Sequence, residues 1–178
     1  RGLGDVYKRQ VNIYEDDIRF VQSQFLSPIA SSGAISFYRY FIEDTTYVDG
    51  NKCIQVSFGP NNSRDFGFTG SLYIMADSTF RIAKTDISIP IKSTVNYVKR
   101  INIAQQFTQL PSGEQVLAKN DMFVLLEAAK FLKTLEVKRY TEYTNYSFSP
   151  LSDRLFRFRG NTKIEPDAMM QEDKFLSL

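Results

Sequence analysis

The chain has 178 residues, of which 43% are hydrophobic and 24% are charged, a composition typical of a globular domain and not of a disordered segment. It contains no histidine and a single cysteine. These counts exclude a histidine-based catalytic triad, a Cys/His zinc site and an intrachain disulfide. The sequence has no apolar stretch of the about 18 residues that a transmembrane helix requires.

Residues 1–10, with the sequence RGLGDVYKRQ, are predicted to be translated sequencing-adapter sequence and not native protein. Back-translated, they match the transposon end and adapter of tagmentation libraries, so no native element is predicted within them. Their net charge of +2 equals that of the whole chain, so the other residues are together neutral. The basic pI therefore indicates no nucleic-acid partner. We expect the chain to be a fragment of a longer reading frame, truncated at its start and in the tail at its end.

The predicted elements begin with an ambiguous segment that has helical spacing and continue with strands. Between Tyr14 and Phe25, apolar residues recur at helical spacing and acidic residues occupy the first turn, which indicates a short helix. From about Phe37 to Phe148, β-branched and aromatic residues alternate with polar ones, the pattern of half-buried strands. The sequence therefore predicts a mainly β fold, a curved antiparallel meander like half a barrel, with one or two short helices.

Turn residues and changes of parity divide this meander into strands. Asp49 and Gly50 suit a type I′ hairpin turn between the first two strands. The apolar residues change from even to odd numbers just ahead of Ile87, which predicts a bulge near Ala83–Asp86. Pro90 predicts a strand edge or end, because proline cannot donate a hydrogen bond to a neighbouring strand.

Two interpretations remain open for Met122–Leu135. Its run of leucine, glutamate, alanine and lysine favours a helix, whereas a strand over Met122–Ala128, a turn, and a strand over Leu135–Phe148 fit equally well. Beyond Pro150 the alternation fades. The predicted organisation is an adapter-derived segment at 1–10, a β-rich domain at 11–150, and a linker or tail at 151–178.

One set of apolar residues is the candidate ligand or packing face. Its members share one parity on the predicted strands, so their side chains point to the same side of the sheet. This face would either form the wall of an apolar cavity or pack against other parts of the domain. The residues are Ile54, Val56, Phe58, Phe68, Leu72 and Ile74.

Other chemically capable residues form no recognisable catalytic, cofactor or metal site. Adjacent carboxylates are interpreted as solvated, the kinase-like tripeptide Asp65–Gly67 as a strand start, and Cys53 as a free thiol on the polar parity. Spaced tyrosines and the basic stretch beside them are interpreted as ordinary strand residues. The alternative for exposed tyrosines is sugar stacking or a membrane interface, and for the basic stretch contact with anionic headgroups. Ser27 and Ser36 have no base partner that would make either a nucleophile. The carboxylates are Glu15, Asp16, Asp17, Glu43 and Asp44, the basic stretch is Val137, Lys138, Arg139 and Tyr140, and the spaced tyrosines are Tyr140, Tyr143 and Tyr146.

A family resemblance rests on short segments whose order and spacing matter more than any one motif. They are Leu26–Ala30, Phe37–Thr45, Val48–Cys53, Phe58–Pro60, Phe68–Ile74, Asp77–Thr79, Val95–Val98 and Thr144–Phe148. Over about residues 11–150 the chain resembles a Bacteroidota family of uncharacterised outer-membrane proteins. Members have a carboxypeptidase-regulatory-like β-sandwich, then a periplasmic β-rich segment, and last an outer-membrane β-barrel.

The resemblance implies a non-enzymatic periplasmic module that serves as a structural or docking element beside a barrel. The partners it implies are the rest of the same polypeptide or other envelope proteins, on the periplasmic side of the outer membrane of a Gram-negative bacterium. The segment Gly70–Ile74 and its surroundings are also similar to periplasmic lipoprotein carriers, which implies the alternative, a lipid-binding half-barrel. Neither resemblance supplies a catalytic residue or a cofactor.

Overall fold

A computed structural model describes residues 11–20, 23–62, 64–90, 98–126, 135–146 and 148. The predictions for residues 1–10 and for 151–178 lie outside these residues. Within the described ranges the chain is mainly β, with very little helix. The elements are β1 (Asp17–Phe20), β2 (Ser23–Leu26), α1 (Ala34–Phe37), β3 (Tyr38–Val48), β4 (Asn51–Pro60), β5 (Thr69–Met75), β6 (Ile82–Pro90), β7 (Val98–Gln109), β8 (Gln115–Leu126) and β9 (Leu135–Glu142).

Strands β3 to β9 form one open antiparallel sheet in which each strand pairs with its sequence neighbours. This confirms the predicted meander, with β3 and β9 as its edge strands among the described residues. The strand interpretation of the segment after Met122 is confirmed up to Leu126 and again from Leu135. Residues 127–134 lie outside the described part of the chain.

The predicted turn and bulge are also confirmed. Asp49 and Gly50 both have positive φ angles, 47° and 79°, as a type I′ turn requires. Between β5 and β6 the register shifts at Ala83, which is the inserted residue of a bulge. Strand β6 is described as far as Pro90, and the predicted strand end there stays a prediction because residues 91–97 lie outside the described part of the chain.

The predicted helix between Tyr14 and Phe25 is wrong, because this segment contains the hairpin β1–β2. Ile18 is directly opposite Phe25 in the antiparallel register, and both side chains are buried. A hairpin thus brings together two apolar residues seven positions apart, as two turns of a helix also do. The spacing alone does not distinguish the two structures.

Residues 11–37, here called the N-terminal cover, pack on one face of the sheet, here called the core face. Ile13, Ile18 and Phe25 of the cover belong to the same hydrophobic cluster as the inward side chains of the sheet. Those inward side chains are Phe58, Phe68, Leu72, Ile87, Ile89, Ile101, Ile103, Met122 and Val124. The opposite side of the sheet is called the outer face below.

Tyrosine and glutamine side chains fasten the cover to the sheet through backbone carbonyl groups. The Tyr38 hydroxyl donates to the Leu26 carbonyl at 2.7 Å and accepts a hydrogen bond from the Phe68 amide at 3.2 Å. The Tyr40 hydroxyl donates to the Pro28 carbonyl at 2.7 Å. Burial raises the pKa of Tyr38 to about 12, since a buried phenolate would lose its solvation. At the other end of the cover, the side-chain amide of Gln105 donates to the carbonyl of residue 11 at 2.7 Å.

Ser27 fixes the turn that follows β2. Its buried hydroxyl donates to the Ile13 carbonyl at 2.5 Å and accepts hydrogen bonds from the amides of Ile29 and Ala30, each at 3.2 Å. A buried hydroxyl that forms three hydrogen bonds with the backbone stabilises the conformation of the cover. Ser27 therefore has a structural role in this chain.

The chain divides into two compact units, Arg1–Thr144 and Asn145–Leu178. The first contains all of the elements named above. Of the second, only Asn145, Tyr146 and Phe148 are described. In the described ranges, no helix has the length and apolar character needed to cross a membrane.

Candidate functional site

Three of the six residues predicted to form an apolar ligand or packing face are packing residues. Phe58, Phe68 and Leu72 are buried in the core beneath the N-terminal cover. The rings of Phe25 and Phe68 have their centroids 5.0 Å apart, and the Tyr38 ring packs edge-on against Phe58 at 5.6 Å. This part of the face is therefore filled by the protein itself.

The other three predicted residues form a half-covered surface together with Ile42. The apolar patch, as it is called here, consists of Ile42, Ile54, Val56 and Ile74. Ile42 is opposite Val56 across β3 and β4, and Ile54 is opposite Ile74 across β4 and β5, so the four side chains are contiguous. Ile42 is 77% exposed and the other three are half-buried. The patch begins where the cover ends, since Tyr40 on the same strand still packs against the core.

The patch adjoins β3, an edge strand with further exposed apolar side chains. Phe41 is 57% exposed and Tyr47 is 70% exposed. An edge strand presents unpaired backbone groups to which another strand can bind. A bulge between Ile42 and Asp44 interrupts this edge, and the Ser57 hydroxyl binds the carboxylate of Glu43 there. Bulges and charges limit indiscriminate strand pairing, so a partner at β3 has to fit a defined register.

A second concave surface lies on the outer face, across β6 to β9, and is called the outer groove here. Its volume is about 310 Å³, at the lower end of the about 300–1,000 Å³ typical of small-molecule sites. The register aligns four of its residues in one row across the four strands. That row is Asp86, Ala104, Asp121 and Tyr140, with Asn102 and Phe123 in the adjacent row.

Charges of both signs surround the outer groove. The Lys84 ammonium lies 2.8 Å from the Asp86 carboxylate. The Lys138 ammonium lies 3.5 Å from the Glu136 carboxylate and 5.9 Å from the centroid of the Phe123 ring. Such a groove presents both hydrogen-bond donors and acceptors to a ligand.

Cys53 lies on the outer face, as its parity predicts, but it is fully buried there. Its thiol is close to Val48 and Asp77, which belong to the β3–β4 hairpin and the β5–β6 connection. Burial raises the pKa of the thiol, the hydrogen bond with the Val48 backbone lowers it, and the Asp77 carboxylate raises it. A buried thiol with a raised pKa is a weak nucleophile. The alternation of polar and apolar residues along β4 does not predict that these two connections bury the thiol.

The remaining candidate residues are distributed without converging on one site. Asp65–Gly67 lies in the connection before β5, and the carboxylates of Glu15–Asp17 are solvent-exposed next to β1. The Ser36 hydroxyl is exposed and donates to the Gly33 carbonyl at 3.0 Å. Within the described part of the chain, no group of three or more acidic or cysteine side chains is placed to hold a metal ion.

The tyrosines and the basic residues near the end of the sheet do not all lie on the same face. Tyr140 is 74% exposed and lies with Lys138 at the outer groove, whereas Val137 packs against the core from the other face. Tyr143 is half-buried, and Tyr146 belongs to the second unit. Alternation along β9 predicts this separation, but the groove depends on which residues of β6 to β8 lie beside Tyr140.

Comparison with known proteins gives one family. No curated protein and no solved structure matches the chain. The family described as "Family of unknown function (DUF5686)" matches residues 3–147. This range contains all nine strands named above and most of the segment 11–150 that carries the sequence resemblance. It begins within residues 1–10, whose adapter origin stays a prediction. The chain therefore belongs to the family of unknown function DUF5686.

Proposed function

We propose that this domain is a non-enzymatic docking module on the periplasmic side of the outer membrane of a Gram-negative bacterium. In this role it holds another part of the same polypeptide beside an outer-membrane barrel. The observation that carries the proposal is the apolar patch next to edge strand β3, where Ile42 is 77% exposed. The cellular address and the barrel rest on the family resemblance of the sequence.

The patch has the chemistry of a docking surface. Its four side chains are aliphatic, so it gains free energy from burial and offers no acid, base or nucleophile. Complete burial of an isoleucine side chain contributes about 1.5–3 kcal/mol. Because the other three members are already half-buried, most of the new burial would come from Ile42.

The edge of β3, which pairs with no further strand in the described ranges, adds a second source of affinity. An extended segment that pairs with β3 would form backbone hydrogen bonds along the edge and would place alternate side chains over the patch. The bulge between Ile42 and Asp44 changes the local twist, so the register of the added strand is constrained. The partner we propose is therefore an extended segment with apolar side chains at alternate positions.

The alternative function, a lipid-binding half-barrel, needs the core face as the wall of an open cavity. Phe58, Phe68 and Leu72 instead pack against the N-terminal cover. Among the described residues, the openings that remain are the apolar patch, which is short for an acyl chain, and a recess of about 650 Å³ at the edge of the cover, whose lining includes the polar residues Asn12, Glu15 and Gln115. We therefore favour docking of a protein segment and treat lipid binding as an outcome of the test.

Photo-crosslinking in the complete protein, in its native envelope, tests the proposal. A benzophenone amino acid at position 42 would report what lies against the patch, and the same amino acid at Lys119, an exposed position of β8, serves as the control. We expect position 42, and not position 119, to give crosslinked peptides from parts of the polypeptide outside residues 1–178. Mass spectrometry of the crosslinked peptides identifies the partner.

Two results would contradict the proposal. Crosslinks from position 42 to lipid alone would favour the half-barrel alternative. Equal crosslinking from positions 42 and 119 would mean that the patch has no dedicated partner. Ile42→Glu provides an independent check, because a charge at this exposed position should abolish the crosslinks from a benzophenone at Thr45, an exposed residue opposite Ile54, without lowering the stability of the domain.

A further inference from the structure

The outer groove is formed by a small residue between larger ones. Ala104 on β7 lies directly between Asp86 on β6 and Asp121 on β8. Neighbouring strands are about 4.8 Å apart, so the backbones that carry the two carboxylates are separated by about 10 Å. The methyl group of Ala104 leaves the space between them open. The result is a recess of about 310 Å³ with an acceptor on either side.

Aromatic side chains border the recess on its β9 side. Tyr140 is directly opposite Asp121 and is 74% exposed, so its ring is available to a ligand. Phe123 is half-buried and lies opposite Lys138, whose ammonium is 5.9 Å from the ring centroid. Tyr140 therefore offers an apolar ring surface with a hydroxyl at its end, beside a carboxylate.

Hydrogen-bonding groups of both kinds converge on the recess. Asp121 makes no hydrogen bond or ion pair with another residue of the described ranges, so both of its oxygens are available as acceptors. The Ser88 hydroxyl donates to Oδ1 of Asn102 at 3.3 Å, which leaves the amide NH2 of Asn102 as a donor. Lys138 and the Tyr140 hydroxyl add further donors.

We infer that the outer groove binds a neutral saccharide unit, at a site separate from the apolar patch. A pyranose ring has an apolar face of C–H groups that packs on an aromatic ring, and hydroxyls that both donate and accept. Tyr140 supplies the ring, Asp86 and Asp121 accept, and Asn102 donates. The volume of the recess suits a mono- or disaccharide.

The charges of the groove favour this ligand over an ion. Asp86 already pairs with Lys84 and forms a hydrogen bond with Tyr73, and Lys138 lies on β9 diagonally opposite Asp121 of β8. A cation would meet the ammonium of Lys138 and an anion would meet the carboxylate of Asp121, so neither gains the full attraction of its counter-charge. A neutral ligand with several hydroxyls uses both groups through hydrogen bonds.

Titration of the 178-residue chain with maltose and with N,N′-diacetylchitobiose, followed by NMR, tests the inference. At about 50 mM disaccharide, weak millimolar binding is readily detected. We expect at least one of the two to shift backbone amides of β7, β8 and β9 around Ala104 and Asp121. Tyr140→Ala should weaken that binding by about tenfold, whereas Tyr140→Phe, which keeps the ring, should largely restore it.

A matched control and a competing ligand decide between outcomes. Tyr47→Ala removes an equally exposed tyrosine from β3 and should leave saccharide binding unchanged. Absence of shifts with both disaccharides, or equal affinity in Tyr140→Ala, would overturn the inference. Arginine amide that binds the groove more tightly than either disaccharide, and loses binding in Asp121→Asn, would make it a cation site instead. Each of these results is independent of crosslinking at the apolar patch.

Discussion

The two faces of the seven-stranded sheet are made from alternate residues of the same strands, yet only one is covered. On the core face, Ile87, Ile103 and Met122 lie side by side across β6, β7 and β8 and are buried. The neighbouring row on the outer face consists of Asp86 on β6, Ala104 on β7 and Asp121 on β8, whose side chains are polar or small. Coverage therefore follows the polarity of alternate residues, since the cover packs where apolar area is available.

Each face also contains residues that depart from this pattern of polarity and burial. The core face has a buried polar row across β6, β7 and β8, made by Thr85, Gln105 and Asn120. The side-chain amide of Gln105 donates to Oδ1 of Asn120 at 3.1 Å. The outer face has the buried thiol of Cys53. Most positions therefore follow the contrast between a buried apolar core face and an exposed polar outer face. Substitutions at the exceptions test this contrast most directly.

The largest effect is expected from a cavity in the core face. Ile103→Ala should lower the free energy of unfolding by about 2–5 kcal/mol, because it removes buried methyl groups and leaves a space that the neighbours fill incompletely. Its neighbour Asn102 is exposed on the outer face, and Asn102→Ala should change stability by about 0.5 kcal/mol or less. Urea denaturation measures both, and equal losses would break the contrast between the faces.

The next effect concerns close contact between strands. Gly70 lies opposite Ile87, and a Cβ atom at Gly70 would lie 2.0 Å from the Asp86 carbonyl oxygen. Gly70→Ala should therefore destabilise the domain by about 1–3 kcal/mol through displacement of backbone. Gly59→Ala is the control, since its nearest neighbour would be a Thr69 methyl at an ordinary 3.6 Å. Thermal unfolding should give a clearly lower melting temperature for Gly70→Ala than for Gly59→Ala. Equal melting temperatures would mean that β5 and β6 can move apart without loss of folding stability.

Tyr38→Phe tests the attachment of the cover. The variant leaves the Leu26 carbonyl and the Phe68 amide without this partner and should cost about 1–2 kcal/mol. The pKa of Tyr38 is raised to about 12 from an ordinary value near 10, so the folded protein retains this proton more tightly than the unfolded chain. This contribution is complete below about pH 10 and is lost as the pH rises towards 12. Urea denaturation at several pH values should show a shallower alkaline loss in Tyr38→Phe, and an unchanged loss would exclude Tyr38 as its source.

The smallest effect is expected at the buried polar row. The Thr85 hydroxyl has no hydrogen-bond partner among the described residues although it is fully buried. Thr85→Val replaces the hydroxyl by a methyl group of similar size and should stabilise the domain by up to about 1 kcal/mol. Differential scanning calorimetry measures this small change. A clear loss of stability would instead indicate that a buried water binds this hydroxyl.

Local features of the fold were predictable from the sequence, because short-range physical rules determine them. The positive φ angles of Asp49 and Gly50 follow from the turn that an Asp-Gly pair favours, and the bulge at Ala83 follows from the change of parity. The N-terminal cover was not predictable, since the side chain of Gln105 binds a carbonyl 94 residues earlier and no periodicity encodes that contact.

The two candidate surfaces were predictable to different degrees. Parity identified Ile54, Val56 and Ile74, but it did not show that the cover stops short of Ile42, which has the same pattern as the packed Tyr40. The outer groove depends on the register that places Ala104 between Asp86 and Asp121. That register is determined by connections whose length and bulges cannot be derived from alternation alone.

The N-terminal cover also determines the order in which this domain can fold during synthesis. Each strand of the sheet pairs with its neighbour in sequence, so hairpins can close as they leave the ribosome. Residues 11–37 emerge before all of these strands, yet the Gln105 side chain that binds their first carbonyl follows 94 positions later. Until β7 is made, Gln105 cannot bind the start of the cover, and the core face of the growing sheet is covered only in part. The start of the cover thus reaches this native contact only after most of the sheet has been made.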